Sequence, residues 1–68
     1  MFSEKVEIAL IKTDINRTKL AKSLDTSVQN ISKRIKYDNM TEKQMKEIAE
    51  ALGGELIIKI KLKDGTEI

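Results

Sequence analysis

Three neighbouring side chains in this chain of 68 residues combine two kinds of group that recognise a polar surface. Gln29 and Asn30 carry amides, which donate and accept hydrogen bonds together, and Lys33 carries a cationic donor. Ile31 and Ile35 have the spacing of a buried helical stripe. A rotation of about 100° per residue places Gln29 and Lys33 opposite that stripe, with Asn30 beside them. We therefore expect these polar groups to share the outer face of one helix.

Positive charge is concentrated around the same segment. Residues 16–37 hold six of the thirteen basic residues and one of the eleven acidic residues, a local net charge of +5. The other 46 residues carry seven bases and ten acids, a net charge of −3, so the total of +2 conceals a polarised molecule. The six bases are Arg17, Lys19, Lys22, Lys33, Arg34 and Lys36. This pattern is typical of a nucleic-acid-binding surface, and ordinary solvation of an exposed helix face is the alternative explanation.

The composition argues against several other classes of protein. The chain has no Cys and no His, which removes disulfides, the usual transition-metal ligands and the common nucleophile–base pairs. We therefore expect no enzyme activity, no catalytic residues, no metal and no cofactor. The apolar stretch from Val6 to Ile11 is too short and too charged for a signal peptide or a membrane span. Absence of Cys is compatible with a reducing cytoplasm.

Hydrophobic periodicity and capping residues predict four helices in a single domain. We expect them at about residues 3–12, 17–24, 28–36 and 42–52, with Ile8 and Ile11 widening the apolar stripe of the first. Ser3, Asn16 and Ser27 are predicted to cap the first three helices. Thr41 and Gln44 predict a capping box, and Gly53 predicts a left-handed helix end. Together, the four helices are expected to form a helical body over residues 1–53.

After the fourth helix the apolar residues recur at every second position. Leu56, Ile58, Ile60 and Leu62 alternate mainly with lysines, which predicts a strand, and Asp64-Gly65 predicts a tight turn before a short return strand. Residues 55–68 should therefore form a C-terminal strand or hairpin. The lysines at 59, 61 and 63 are expected to be a solvated face that discourages edge aggregation.

The segment Leu20-Ala21-x-x-Leu24-x-x-Ser27-x-x-x-Ile31-Ser32 resembles the helix-turn-helix of phage repressor and Cro-type DNA-binding domains. Residues 47–53 resemble the later core helix of that family, and the resemblance covers about residues 4–53. It implies a mainly α fold of the lambda-repressor-like kind, with four to five helices. The C-terminal strand is more similar to Cro than to the purely helical repressor heads. Ala21 then lies where the two helices cross, and Ile31 is the buried residue of the recognition helix.

Two positions depart from the pattern of that family. Asp25 stands in the turn, where the family usually has Gly, and Arg34 stands where it usually has an apolar residue. Asp tolerates left-handed backbone better than most residues, so the turn should survive. Ile35 is expected to take the apolar role in place of Arg34.

The resemblance implies that the third helix lies in the major groove of double-stranded DNA. There Gln29 and Asn30 can pair with adenine N6 and N7, and Lys33 can reach guanine O6 and N7. Phosphate contacts would fix the register without reading sequence. The residues expected to make them are Arg17, Lys19, Ser27, Lys36 and Tyr37. Packing with a wet hydroxyl is the alternative role for Tyr37.

The apolar face of the predicted strand suggests a homodimer. Leu56, Ile58, Ile60 and Leu62 would pair with the same residues of a second copy, satisfying a bare strand edge. Two recognition helices could then lie roughly 34–36 Å apart and read a palindromic operator. The alternative is a monomer whose strand packs only on its own helices.

These observations predict a sequence-specific transcriptional regulator, a Cro-like repressor of a phage or mobile element. It would act by occluding polymerase in the cytoplasm of a bacterial or phage-infected cell, associated with the nucleoid. No membrane partner and no small-molecule effector is expected. One alternative is an antitoxin-type autoregulator. Another is a protein-interaction module that kept the fold and lost DNA binding, in which leucines, methionines or aromatics would more often occupy the outer face of the third helix.

Overall fold

Four helices build the body of the protein, and the computed structural model describes residues 2–68. The helices are α1 (Phe2–Thr13), α2 (Arg17–Ser23), α3 (Val28–Tyr37) and α4 (Glu42–Ala51). The mainly helical prediction is confirmed, and each predicted helix end lies within one residue of the observed one. No helix within residues 2–68 has the length and apolar character needed to cross a bilayer.

Short polar side chains start three of the helices as the sequence predicts. Asn16 accepts a hydrogen bond from the Lys19 amide at 2.8 Å, and Ser27 accepts one from the Asn30 amide at 3.1 Å. The capping box at α4 is also confirmed, because Thr41 and Gln44 each accept from the other's backbone amide. Such a side chain satisfies backbone donors that have no partner inside the helix.

The first helix is anchored differently from the prediction. Because α1 begins at Phe2, Ser3 lies inside its first turn and does not cap it. The Ser3 amide and hydroxyl instead donate to Asp38 Oδ1 at 3.0 and 2.8 Å, and Ser3 is buried. A carboxylate from the end of α3 therefore satisfies the start of α1. It lies in the favourable field of the helix N-terminus.

Left-handed residues end the helices in tight turns. Asp14, Asp25 and Asp38 have φ values of 56°, 54° and 51°. After α2, the Thr26 amide donates to the Ala21 carbonyl and the Asp25 amide to the Lys22 carbonyl, which is the Schellman arrangement. Asp25 therefore serves in the turn without glycine. Gly53, with φ of 82°, ends α4 in the same way, as predicted.

All four helices contribute to the core, and α2 and α3 make its most extensive contact. Leu20 and Ile31 are fully buried, and Ala21 and Ile35 are nearly so. Ile35 fills the position expected of it, while Arg34 is only half-buried. Val6 and Ile48 complete the core from the other two helices. The prediction that Ile8 and Ile11 widen the apolar stripe of α1 was wrong, since both side chains are exposed.

The C-terminal segment does not form the predicted strand or hairpin. No strand occurs in residues 2–68, and residues 55–68 contain one isolated antiparallel bridge, Lys61 to Glu67. Ile60 and Ile68 exchange backbone hydrogen bonds at 2.8 Å around the turn at Asp64-Gly65. Two short extended segments that pair only with each other have marginal stability in water, because they need a third strand or a hydrophobic body to pack on. We call residues 55–68 the C-terminal arm.

The arm makes the molecule elongated. Its radius of gyration is 13.3 Å and its extents are 43 × 22 × 17 Å, whereas a compact domain of this length has a radius of gyration of about 11 Å. Leu56 is half-buried near the body, but Ile58, Ile60 and Leu62 are exposed. The apolar face of the arm therefore has little cover within one copy.

Replacing Ile31 by Ala should lower the free energy of unfolding by about 2–5 kcal/mol, because a fully buried side chain would leave a cavity. Ile11→Ala is the matched control, since Ile11 is 81% exposed and its loss should cost less than about 0.5 kcal/mol. Urea denaturation followed by circular dichroism measures both. Equal destabilisation by the two variants would contradict the placement of Ile31 in the core and of Ile11 in solvent.

Acidification should loosen the turn of the arm. The Thr66 amide donates to Asp64 Oδ1 at 2.9 Å, and this hydrogen bond lowers the pKa of Asp64 below its usual 3.8. The pKa of Asp64 is lower in the folded arm than in the unfolded chain. The ionised carboxylate therefore stabilises the turn fully above the unfolded pKa, and this stabilisation is lost as the pH falls through the folded pKa. An NMR titration should show the Thr66 amide signal moving below pH 3.8. Asp64→Asn should abolish that movement.

Candidate nucleic-acid interface

The outer face of α3 carries the three residues predicted to contact bases. Gln29, Asn30 and Lys33 are all exposed, while Ile31 and Ile35 face the core. The helix is therefore set with its apolar stripe against α2 and its amides and lysine toward solvent. Its first turn contains no acidic residue, so the free amides at its start can approach an anion without repulsion.

Asn30 is held toward the turn that precedes α3. Its Nδ2 atom donates to Thr26 Oγ1 at 3.1 Å, and its backbone amide donates to Ser27 Oγ. One hydrogen of the side-chain amide is thus used within the protein, and the other hydrogen and the carbonyl oxygen can still bind an external group. Thr26 was not among the predicted site residues, although its spacing of four from Asn30 is a detectable signal.

Ser27 combines a structural role with the predicted phosphate contact. Its oxygen accepts from the Asn30 amide, which fixes the start of α3, and its hydroxyl hydrogen can donate to an approaching oxygen. The side chain is exposed, so this donor faces solvent. The cap and a phosphate contact are therefore compatible.

Arg17 joins three helices and is not an isolated surface cation. Its Nη2 atom lies 2.8 Å from Glu7 Oε1 of α1, and its Nη1 atom donates to Ser32 Oγ of α3 at 3.3 Å. Neither Glu7 nor Ser32 was predicted as part of the site. The partners are ten and fifteen residues away in sequence, beyond any helical spacing.

The remaining predicted phosphate contacts lie on the surface of α2 and α3. Lys19 and Lys36 are exposed, and Tyr37 is 67% exposed at the end of α3. The Lys36 ammonium lies 5.4 Å from the centre of the Tyr37 ring, within the range of a cation–π contact. Tyr37 therefore packs at the surface against Lys36 and not in the core, and its exposure agrees with either predicted role, packing with a wet hydroxyl or a phosphate contact.

The distribution of the six bases keeps positive charge at the surface. Lys19, Lys22, Lys33 and Lys36 are exposed, and only the two arginines are half-buried. Exposed ammonium groups attract polyanions over about one Debye length. The α2–α3 pair therefore presents a basic surface.

Two of the four residues predicted to form a dimer line an apolar groove at the start of the arm. The groove has a volume of about 480 Å³ between α1, α4 and the first residues of the arm. Val6 and Ile48 line its floor, while Leu56 and Ile58 line its edge. Ile60 and Leu62 lie farther along the arm, where they are exposed.

Comparison of the chain with family models, curated proteins and solved structures finds no match.

Proposed function

We propose that this protein is a sequence-specific, double-stranded DNA-binding transcriptional regulator with a Cro-like, lambda-repressor-like helix-turn-helix. The observation that supports the proposal is the exposed face of α3 with Gln29, Asn30 and Lys33, on a helix whose other side is buried in the core cluster that includes Ala21 of α2. A small residue at the crossing lets α3 lie close to α2 and project its outer face. The six bases of the same two helices, four of them exposed, supply charge for the phosphate backbone.

In this function α3 enters the major groove and reads base edges. The amides of Gln29 and Asn30 bind adenine N6 and N7, and Lys33 binds guanine O6 and N7, each good bidentate contact giving about 1–3 kcal/mol of discrimination. Arg17, Lys19, Ser27, Lys36 and Tyr37 bind phosphates and set the register of α3 in the groove. Repression follows when the bound protein blocks polymerase at the operator, in the cytoplasm near the nucleoid.

The partner in this function is a second copy of the chain, joined through the C-terminal arms. The arm exposes the aliphatic side chains of Ile58, Ile60 and Leu62. Ile60 and Leu62 use their backbone groups on residues 65–68 of the same arm, so a second copy would pair with the opposite edge. Antiparallel pairing of two arms would extend the single bridge of each copy into a strand ladder and bury both apolar faces. A two-fold axis between the arms would place two α3 helices roughly 34–36 Å apart, one turn of DNA.

The protein-interaction module is the second candidate function, and exposed aliphatic residues of α1 favour it. Ile8 and Ile11 are 55% and 81% exposed and lie one helical turn apart. The outer face of α3, in contrast, carries amides and a lysine in place of the apolar anchors of a protein interface. An antitoxin would use the same α3 face on DNA and its arm on a toxin.

Selection of bound sequences from a random duplex library tests the main proposal. The wild-type chain should enrich a palindrome, and Lys33→Ala should relax the preference at one base position per half-site. Affinity should fall by about 10³- to 10⁵-fold between about 50 and 200 mM salt if several phosphates are contacted in each half-site. Lys46→Ala, an exposed lysine of α4, is the control and should leave the preference unchanged. Failure to bind any duplex would leave the interaction module as the better explanation.

Analytical ultracentrifugation tests the arm as the dimer interface. The wild-type chain should sediment as a dimer, and Ile60→Lys should give a monomer, because a charge on the apolar face cannot be buried without a partner. Lys61→Ala, on the other side of the same segment, should stay dimeric. Circular dichroism should show unchanged helix content in both variants. A monomeric wild type at about 100 μM, well above a typical specific dimer Kd, would contradict the proposed interface.

A further inference from the structure

Arg17 differs from the other residues proposed to bind phosphate, because its charge already has a carboxylate partner. Glu7 Oε1 lies 2.8 Å from the Arg17 Nη2 atom. Lys19 and Lys36, in contrast, make no ion pair with a carboxylate of residues 2–68. Ser32 accepts from its Nη1 atom at 3.3 Å. Both outer nitrogens of the guanidinium are therefore directed at groups of the protein itself.

We propose that Glu7 competes with a DNA phosphate for Arg17 and so lowers the affinity of the protein for DNA. We call this pair the Glu7–Arg17 latch, and the inference rests on the DNA-binding function proposed above. In the free protein Glu7 occupies Nη2. On DNA a phosphate oxygen takes its place, and the Glu7 carboxylate returns to water.

The exposure of the two side chains makes this exchange feasible. Arg17 and Glu7 are 39% and 53% exposed, so separating them leaves no buried charge. Phosphate and carboxylate both match the planar fork of a guanidinium, so one can replace the other without a change of rotamer at Arg17. Ser32 is neutral and can keep its contact with Nη1 throughout, which holds the guanidinium at the surface of α3.

The size of the effect follows from the nature of the pair. Exposed ion pairs shift an equilibrium by about one- to five-fold, and they weaken as salt rises. Removing the competing carboxylate should therefore tighten DNA binding by about two- to five-fold at low salt, and the gain should shrink as salt screens the latch. Because linkage is reciprocal, DNA should abolish the coupling between Glu7 and Arg17 that the free protein shows.

A double-mutant cycle measured on DNA tests the latch. Glu7→Gln keeps the length and hydrogen-bonding capacity of the side chain, and its Kd for the selected duplex should fall by about two- to five-fold at about 50 mM salt. In an Arg17→Gln background the same change should have little effect, because no cation remains to be released. Glu47→Gln, an exposed acid on α4, is the control for a change of net charge and should leave the Kd close to wild type.

Three results would overturn the latch. An equal gain from Glu7→Gln with and without Arg17 would show that Glu7 acts as a general negative charge. An unchanged or weaker affinity in Glu7→Gln would show that the carboxylate positions Arg17 productively. A wild-type chain that binds no duplex would overturn the proposed function and the latch together, whereas normal wild-type binding with either of the first two results removes the latch alone. Thermal unfolding of the four proteins of the cycle checks that each is folded and measures the coupling without DNA.

Discussion

The close packing of α3 on α2 is the constraint on which the rest of the structure depends. Leu20 and Ala21 of α2 and Ile31 and Ile35 of α3 are buried in the same core cluster. Protein interiors are close-packed, so a change of side-chain volume at a buried position such as Ala21 is expected to shift the helices that pack there. The direction of Gln29, Asn30 and Lys33 is a consequence of that packing. The polar outer face of α3 is in this sense produced by the core.

Three aspartates end helices in this small chain, which contains no proline. Asp14, Asp25 and Asp38 all adopt left-handed backbone at helix ends, where glycine is the commonest choice. Asp38 has a second role, because its carboxylate accepts two hydrogen bonds from Ser3. That contact ties the start of α1 to the end of α3. Asp38 therefore ends α3 with its backbone and holds the start of α1 with its carboxylate. In a chain this short, such a contact adds to the limited stabilisation that the small core provides.

The arm and the helical body differ in how completely each satisfies its own groups. The body buries a core of six hydrophobic residues and caps three of its helices with side chains, whereas the arm leaves Ile58, Ile60 and Leu62 in solvent. The prediction of a strand was wrong, because an alternating pattern alone does not make a strand and a ladder needs an adjacent strand of sufficient length. Alternation specifies which side chains share a face. It does not supply the neighbour that makes the segment a strand.

Information local in the chain determined the four helices, three of their caps, the Asp64-Gly65 turn and the outward setting of Gln29 and Lys33. These features depend on groups separated by three or four residues, and such spacings are visible in the order of amino acids. Only the tertiary structure decided that Asp38 would hold Ser3, thirty-five residues away, and that Arg17 would contact Glu7 and Ser32. Those contacts arise where helices cross, and the crossing is set by the packing of the whole core. Helix periodicity predicts which side of α1 is apolar, but the width of the core decides that Ile8 and Ile11 stay in water.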